Sequence, residues 1–185
     1  MSEAAREAEA VLAQADCLHD AAAVQAAYDR LARNLAIGYA DRNPRVLCVM
    51  TGGLVPAAEI TQRLAFPFEL DYLHATRYRG ATQGGGLVWK RQPEARRIEA
   101  RHVLVIDDIL DEGHTLLAIR KALNDFHPAS LKVAVLVEKL HDRRAPGAHA
   151  EFIGLQVEDR YVFGCGMDYK EYWRQLPAIY AVGKS

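Results

Sequence analysis

Cysteine is scarce in this sequence: Cys17, Cys48 and Cys165 are odd in number, far apart and free of any CxxC pair. That pattern argues against a disulfide framework and a zinc site, and Cys48, inside "VLCVM", reads as a small buried hydrophobe. Long apolar runs are missing as well. The longest are strand-sized, far below the roughly 20 residues that cross a bilayer, and the opening "MSEAAREAEA" is charged where a secretory signal would be apolar. A soluble, cytoplasmic protein with no membrane partner is expected. Nor is there a surplus of one charge. The 23 Lys and Arg face 24 Asp and Glu, a formal net charge of -1, which lacks the electrostatic signature of a nucleic-acid binder. Without GxxxxGK[ST], GxGxxG or HExxH there is no P-loop, no dinucleotide fingerprint and no paired-histidine metal centre, although His74, His102, His114 and His127 are spread along the chain.

What is present is enough apolar material for a core. At 185 residues, 50% of them hydrophobic, the length favours a single domain. Residues 2–40 are rich in Ala, Leu and Glu, and after Asp20, an N-cap residue type, Val24, Ala27, Tyr28, Leu31, Leu35 and Ile37 recur at helical spacing. This predicts a helical N-terminal stretch closed by the turn "DRNP". "RVLCVM" (45–50) reads as a buried strand, "TGG" as a loop and "LVPAAEITQRLA" (54–65) as a helix. "FELDYLHATRY" (68–78) predicts a second strand, "RGATQGGG" (79–86) a glycine-rich loop and "LVWK" (87–90) a short strand. The unit then repeats, with "HVLVI" (102–106) as strand, "DDILDEGHT" as loop, "LLAIRKALNDF" (116–126) as helix and "LKVAVLV" (131–137) as strand. Helices alternating with near-continuous apolar strands predict an α/β fold with a mainly parallel sheet flanked by helices. Past the polar loop "HDRRAPGAHA", the segments "FIGLQV", "YVFGCG" and "PAIYAV" read as shorter strands of a small subdomain folded onto that sheet.

The chemistry concentrates in "VLVIDDILDEGHTL" (103–116). In open α/β sheets ligands bind beyond the carboxyl ends of the strands, and amides at a helix start attract anions. Within "DEGHT", Gly113 lets the backbone bend close to a ligand and Thr115 offers a hydroxyl at the head of the next helix, which together make a seat for a phosphate. Asp107 and Asp108 beside an anion seat conflict unless the ligand carries more than phosphate. Vicinal ribose hydroxyls or a magnesium ion would satisfy them, so a sugar phosphate removes the conflict. The competing reading is that the Asp pair caps the helix and solvates a strand end.

The same stretch resembles the phosphoribosyl-diphosphate (PRPP) signature of type I phosphoribosyltransferases: a hydrophobic strand, two acids, two apolar residues, then D-x-G-x-T. From about Arg45 onward, further segments fall in the order and at the spacing of the hypoxanthine-guanine phosphoribosyltransferases. The resemblance implies the type I fold, with residues 1–185 as one domain and a small hood subdomain built from the N- and C-terminal segments. It implies that Asp107 and Asp108 face the ribose and meet magnesium mainly through ribose hydroxyls or water. It gives Glu112, Gly113, His114 and Thr115 to the 5′-phosphate, His114 by its backbone amide alone, and Asp111 to the purine as general base or proton relay.

"VEDRYVFGCGMDYKEYWRQLP" is similar to the family's purine and pyrophosphate segment. By that likeness Tyr161 stacks on the purine, the Val162 backbone bonds the base edge, Asp168 serves the purine site and magnesium, and Arg174 takes pyrophosphate. In "VEKL" the likeness assigns Lys139 to the exocyclic 6-oxo group of the purine. An ammonium donates only, so it favours a 6-oxopurine over a 6-amino one. Taken without the resemblance, Tyr161 and Val162 would be core residues of a strand and Lys139 a solvated surface residue.

"VMTGG" resembles the family's pyrophosphate loop, which implies backbone contacts from Thr51 and Gly52. This chain has Thr51 where the family often has lysine, and the family's cis peptide is not carried over to Thr51–Gly52. "ATRYRGATQGGG" (75–86) is similar to the loop that closes over the site, with Arg77 replacing the usual serine as a further pyrophosphate candidate. Trp89 and Trp173 are expected to pack. Implied in addition are Mg2+ as cofactor, PRPP with hypoxanthine or guanine as substrates, IMP or GMP and pyrophosphate as products, and a homo-oligomer, dimer or tetramer. Two alternatives stay open at this point: a non-enzymatic nucleotide- or RNA-binding regulator on the same fold, and a xanthine-preferring phosphoribosyltransferase.

Overall fold

The computed structural model describes residues 1–77 and 87–183. Helix α1 (Glu3–Ala13), strand β1 (Asp16–His19) and helix α2 (Ala21–Tyr39) open the chain. The helical stretch expected over 2–40 is thus interrupted by β1, whose partner β9 (Ile179–Ala181) comes from the other end of the sequence. Asp20 caps α2, its Oδ1 accepting the Ala23 N–H at 2.8 Å, a contribution of about 1 kcal/mol. Val24, Ala27, Tyr28, Leu31 and Leu35 are buried along one face of α2, but Ile37 is 88% exposed and Tyr39 takes the inward position in its place. Four residues after Leu35 returns to the core face, whereas two residues after it points away.

The main sheet has six strands: β2 (Arg45–Val49), β3 (Glu69–Arg77), β4 (Leu87–Arg91), β5 (His102–Leu110), β6 (Ser130–Leu140) and β7 (Phe152–Glu158). They lie in the order β4-β3-β2-β5-β6-β7, parallel throughout except for β4. Helices α3 (Leu54–Thr61) and α4 (His114–Asn124) follow β2 and β5 and cover opposite faces. Alternate strand residues feed the two cores. Val46, Cys48, Leu104, Ile106, Ala134 and Leu136 pack with α2 and α3, while Leu47, Val49, Val103, Val105, Val133 and Val135 pack with Leu116, Ile119 and Leu123 of α4. A strand stretch buried on both faces by apolar cores is apolar at successive positions, which is why "VLCV" (46–49) and "VLVI" (103–106) show no alternation.

Strand β5 does not stop at Ile106 as its apolar run suggests. Its ladder to β6 continues through Asp107↔Val135, Ile109↔Val137 and Leu110↔Glu138, so Asp107 and Asp108 lie on the strand rather than in the loop. Helix α4 starts at His114, not at Leu116, and α3 ends at Thr61. A second, antiparallel sheet joins β1, β9 and β8 (Val162–Phe163), the segment "YVFGCG" contributing only those two residues. Buried Arg45 ties the base of the main sheet: it pairs with Glu69 and, at 2.6 Å, with Asp71, which also holds Arg91 at 2.7 Å.

Candidate active site

The helices after β2 and β5 leave these neighbouring strands in opposite directions, so a crevice opens at their carboxyl ends, the place where doubly wound sheets bind ligands. Thr51–Gly53 forms one wall and residues 111–115 the other. At the second wall Gly113 adopts φ +80° and sits at the N-cap position of α4 with no side-chain cap. A Cβ there would come within 2.4 Å of the Ala148 Cβ, so both backbone and space call for glycine. The first amides of α4, at His114 and Thr115, lack helical partners and lie at the carboxyl end of β5, a ready anion seat. The Glu112 carbonyl accepts the Ala145 N–H at 2.8 Å, which fastens the loop from behind.

Asp107 and Asp108 do not cap α4. Asp107 Oδ1 accepts the Asp108 N–H at 2.9 Å and Asp108 Oδ1 accepts the Ile109 N–H at 2.7 Å. Strand alternation sends the first toward the α4 side and the second toward the α3 side. There the Asp108 carboxylate lies against Gly52, where any Cβ would fall 2.0 Å from Oδ2. Burial pushes both carboxyls above the usual range, Asp107 furthest because the charge of Asp108 adds to it, while Arg174 pulls in the opposite sense.

At the first wall the Met50–Thr51 peptide is cis, one bond earlier than the Thr51–Gly52 bond that the sequence brings into question. Gly166 backs onto the Gly52 carbonyl. Arg174 donates to the Gly166 carbonyl at 2.6 Å and pairs with Asp168 at 2.7 Å, and Asp168 also accepts the Glu171 N–H at 2.6 Å. The structure therefore brings Arg174 and Asp168 together and joins their segment to the "TGG" loop. It does not gather Asp168, Asp107 and Asp108 into a metal cage: among the described residues no three His, Cys, Asp or Glu side chains are grouped to hold a metal. The Arg77 side chain and residues 78–86 of the expected closing loop lie outside the described residues.

At the second wall, the β5–β6 register that sets Leu110 opposite Glu138 carries Asp111 next to Lys139. Lys139 donates to Asp111 Oδ2 at 2.7 Å, and the His141 Nε2 lies 2.7 Å from Oδ1. Burial alone would raise the Asp111 carboxyl, but the hydrogen bonds from Lys139 and His141 outweigh it and hold it below the usual range. Lys139 is a buried cation rather than a solvated one. Tyr161 is 52% exposed and braced edge-on by Tyr169 at 5.5 Å, whereas its neighbour Val162 is buried on β8. An aromatic face presented to solvent is not the core residue that its strand context suggests.

Residues 14–171 match the phosphoribosyl transferase domain family. The hypoxanthine-guanine-xanthine phosphoribosyltransferase of Tritrichomonas foetus is 35% identical over 156 residues, covering 84% of this chain and 85% of that protein. The hypoxanthine-guanine phosphoribosyltransferase of Streptococcus pneumoniae is 31% identical over 150 residues, covering 81% and 83%. The chain belongs to the hypoxanthine-guanine phosphoribosyltransferase family. A solved hypoxanthine-guanine phosphoribosyltransferase from Bacillus anthracis matches the fold with a TM-score of 0.81 at 26% identity, over 90% of this chain and 96% of that one. The six-stranded sheet with its flanking helices is accordingly the type I phosphoribosyltransferase fold, and the reaction class is phosphoribosyl transfer. Neither the non-enzymatic regulator nor a xanthine-preferring enzyme gains support.

For a hypoxanthine-guanine phosphoribosyltransferase, two features of this site escape the sequence motifs. His141 holds Asp111 from just past the end of β6, two residues after Lys139. Helix α1 braces the 168–174 segment, with Glu7 accepting from Tyr169 at 2.9 Å and Lys170 at 2.6 Å and the Ala8 carbonyl accepting from Trp173 at 2.8 Å. No helix among the described residues is long and apolar enough to cross a membrane.

Proposed function

We propose that this enzyme salvages purines by transferring the 5-phosphoribosyl group of PRPP to hypoxanthine or guanine, giving IMP or GMP and pyrophosphate. The observation that carries the choice of base is the buried Lys139 ammonium beside Asp111 at the crevice. It can only donate, so a 6-oxo acceptor satisfies it and a 6-amino group leaves two donors facing each other. The chemical names of the relatives from Tritrichomonas foetus and Streptococcus pneumoniae point the same way.

In this reading the amides of Glu112, Gly113, His114 and Thr115, with the Thr115 hydroxyl, hold the 5′-phosphate, and Asp107 and Asp108 accept the ribose hydroxyls. Tyr161 stacks on the purine and the Val162 backbone bonds its edge, an aromatic contact worth roughly 1 kcal/mol. The purine nitrogen attacks C1 of PRPP as the bond to pyrophosphate breaks, through an oxocarbenium-like state, and the proton of that nitrogen passes to Asp111. Arg174, with backbone donors at Thr51 and Gly52 and with Arg77, neutralises the departing pyrophosphate. Asp168, Asp107 and Asp108 are the residues that would hold Mg2+, and their chemistry fits it: magnesium takes one or two carboxylates and fills its remaining positions with water and substrate oxygens, so no protein cage is required. When bound it would offset the charge of the diphosphate.

We further infer a single phosphoribosyltransferase domain over residues 1–185, with the β1-β9-β8 sheet as part of its hood, acting in the cytoplasm as a dimer or tetramer without nucleic-acid or membrane partners. The near-neutral charge supports the part of this reading that concerns nucleic acid. The test is incubation with PRPP, Mg2+ and each purine in turn, with nucleoside monophosphate and pyrophosphate quantified. Product with hypoxanthine or guanine is expected, and no product with any 6-oxopurine would overturn the reading.

A further inference from the structure

His141 is the one group at the crevice to which no motif gives a task. Its side chain is 2% exposed, and both ring nitrogens are engaged: Nδ1 faces the Arg143 backbone N–H at 3.1 Å and Nε2 faces Asp111 Oδ1 at 2.7 Å. A backbone N–H only donates, so Nδ1 must present its lone pair, and the ring proton of a neutral imidazole then sits on Nε2, aimed at the carboxylate. The charged groups around the ring are Asp111, Lys139, the Arg143 guanidinium and Asp159, which itself pairs with Arg143 at 2.5 Å. Lys139 serves Asp111 Oδ2, so the Nε2–H of His141 gives the other carboxylate oxygen a donor of its own.

We propose that His141 is a positioning residue for the transfer step: its Nε2–H grips Asp111 Oδ1 while Lys139 releases Oδ2 and turns its ammonium to the purine oxygen. This rests on the base-side role of Asp111 given above. In the structure both carboxylate oxygens are occupied, one by each donor. Purine binding draws Lys139 away, and a carboxylate left with no second anchor would rotate freely and lose its aim. Held by His141, Asp111 keeps Oδ2 toward the purine, receives its proton there, and the imidazole neither gains nor loses one. The loss of Lys139 in the complex also makes the His141 hydrogen bond the remaining one that favours the ionised acid over its protonated form.

The test compares His141→Ala and His141→Gln in the full-length enzyme. In Ala, kcat should fall on the order of 10- to 100-fold, as expected for a misaligned reacting group, with KM for PRPP little changed and the acid limb of the kcat–pH profile moved to higher pH. Gln carries an amide N–H of similar reach and should recover most of the rate and return the acid limb toward its original position. A His141→Ala enzyme with unaltered kcat and acid limb would overturn the proposal, as would a Gln variant as slow as Ala with an unmoved acid limb, which marks plain packing. Asp111→Asn separates the two readings. If it turns over normally the base-side role falls and His141 falls with it; if it is inactive while His141→Ala is normal, only the positioning role is lost.

Discussion

Replacing Gly113 by alanine should damage this protein in two separable ways. At φ +80° an L-residue is disfavoured, which costs about 1–2 kcal/mol. The new methyl would also lie 2.4 Å from the Ala148 Cβ and 3.0 Å from Leu110 Cδ1, an overpacking worth a further 1–3 kcal/mol or so. The sum, about 2–5 kcal/mol, corresponds to a Tm drop of roughly 5–20 °C for a chain of this length. Gly147 supplies the control: its φ is +84°, yet nothing lies within 4 Å of the site of a Cβ, so Gly147→Ala should show the backbone cost alone. Calorimetry on both variants gives the packing cost by difference. Adding Ala148→Gly to Gly113→Ala should return part of that difference, a favourable coupling between neighbours. Because the 113–115 amides move with the loop, KM for PRPP should also rise on the order of tenfold, the loss of about one hydrogen bond to a charged group. A Gly113→Ala protein no less stable than Gly147→Ala would refute the packing argument.

Lys139→Gln places an amide that both donates and accepts at the purine oxygen, so kcat/KM for hypoxanthine should fall about 10- to 100-fold while the ratio of hypoxanthine to adenine narrows; an unchanged ratio would separate Lys139 from base choice. Burial alone would raise the Glu151 carboxyl, but the Arg120 guanidinium at 3.0 and 2.9 Å and the Val133 N–H at 2.7 Å outweigh it and hold it below the usual range. Its contribution is therefore full above the ordinary carboxylate range and fades as pH falls through the depressed value. Glu151→Gln should lower stability by about 1–3 kcal/mol at pH 7, and the gap to the parent in a Tm-against-pH series should close in acid.

The strands of the main sheet are legible because the two apolar cores on its faces demand apolar residues at successive positions, and "VLCV" or "VLVI" admits few other readings. The same logic misplaces the end of β5. Asp107 and Asp108 break the apolar run, yet the ladder continues because each carboxylate accepts the next residue's N–H and looks into a crevice instead of a core. Strand β1 is hidden for a different reason: "DCLH" gains its partner from residues 179–181, and pairing at such sequence distance imposes no local pattern. Site residues tied to a motif could be named, whereas His141 could not. Its significance comes from a register that sets the end of β5 beside the end of β6, which composition does not encode.

The crevice answers a difficulty posed by the whole-chain charge of -1, which offers no basic surface for a ligand as anionic as PRPP. The cations exist but are paired internally: Lys139 with Asp111 and Arg174 with Asp168, each at 2.7 Å. In the proposed reading, pyrophosphate at Arg174 or a purine oxygen at Lys139 would exchange one partner for another instead of newly covering a bare charge. The net gain in affinity is small, and the interaction goes into orientation, the use of binding that accelerates a reaction. Asp107 and Asp108 are the exception, since neither forms an ion pair among the described residues and burial pushes both carboxyls upward. The fold offers them one backbone N–H each and the distant pull of Arg174, which do not offset burial. In the proposed reading, the hydroxyls of a ribose diol and a cation accompanying the diphosphate would supply the balance.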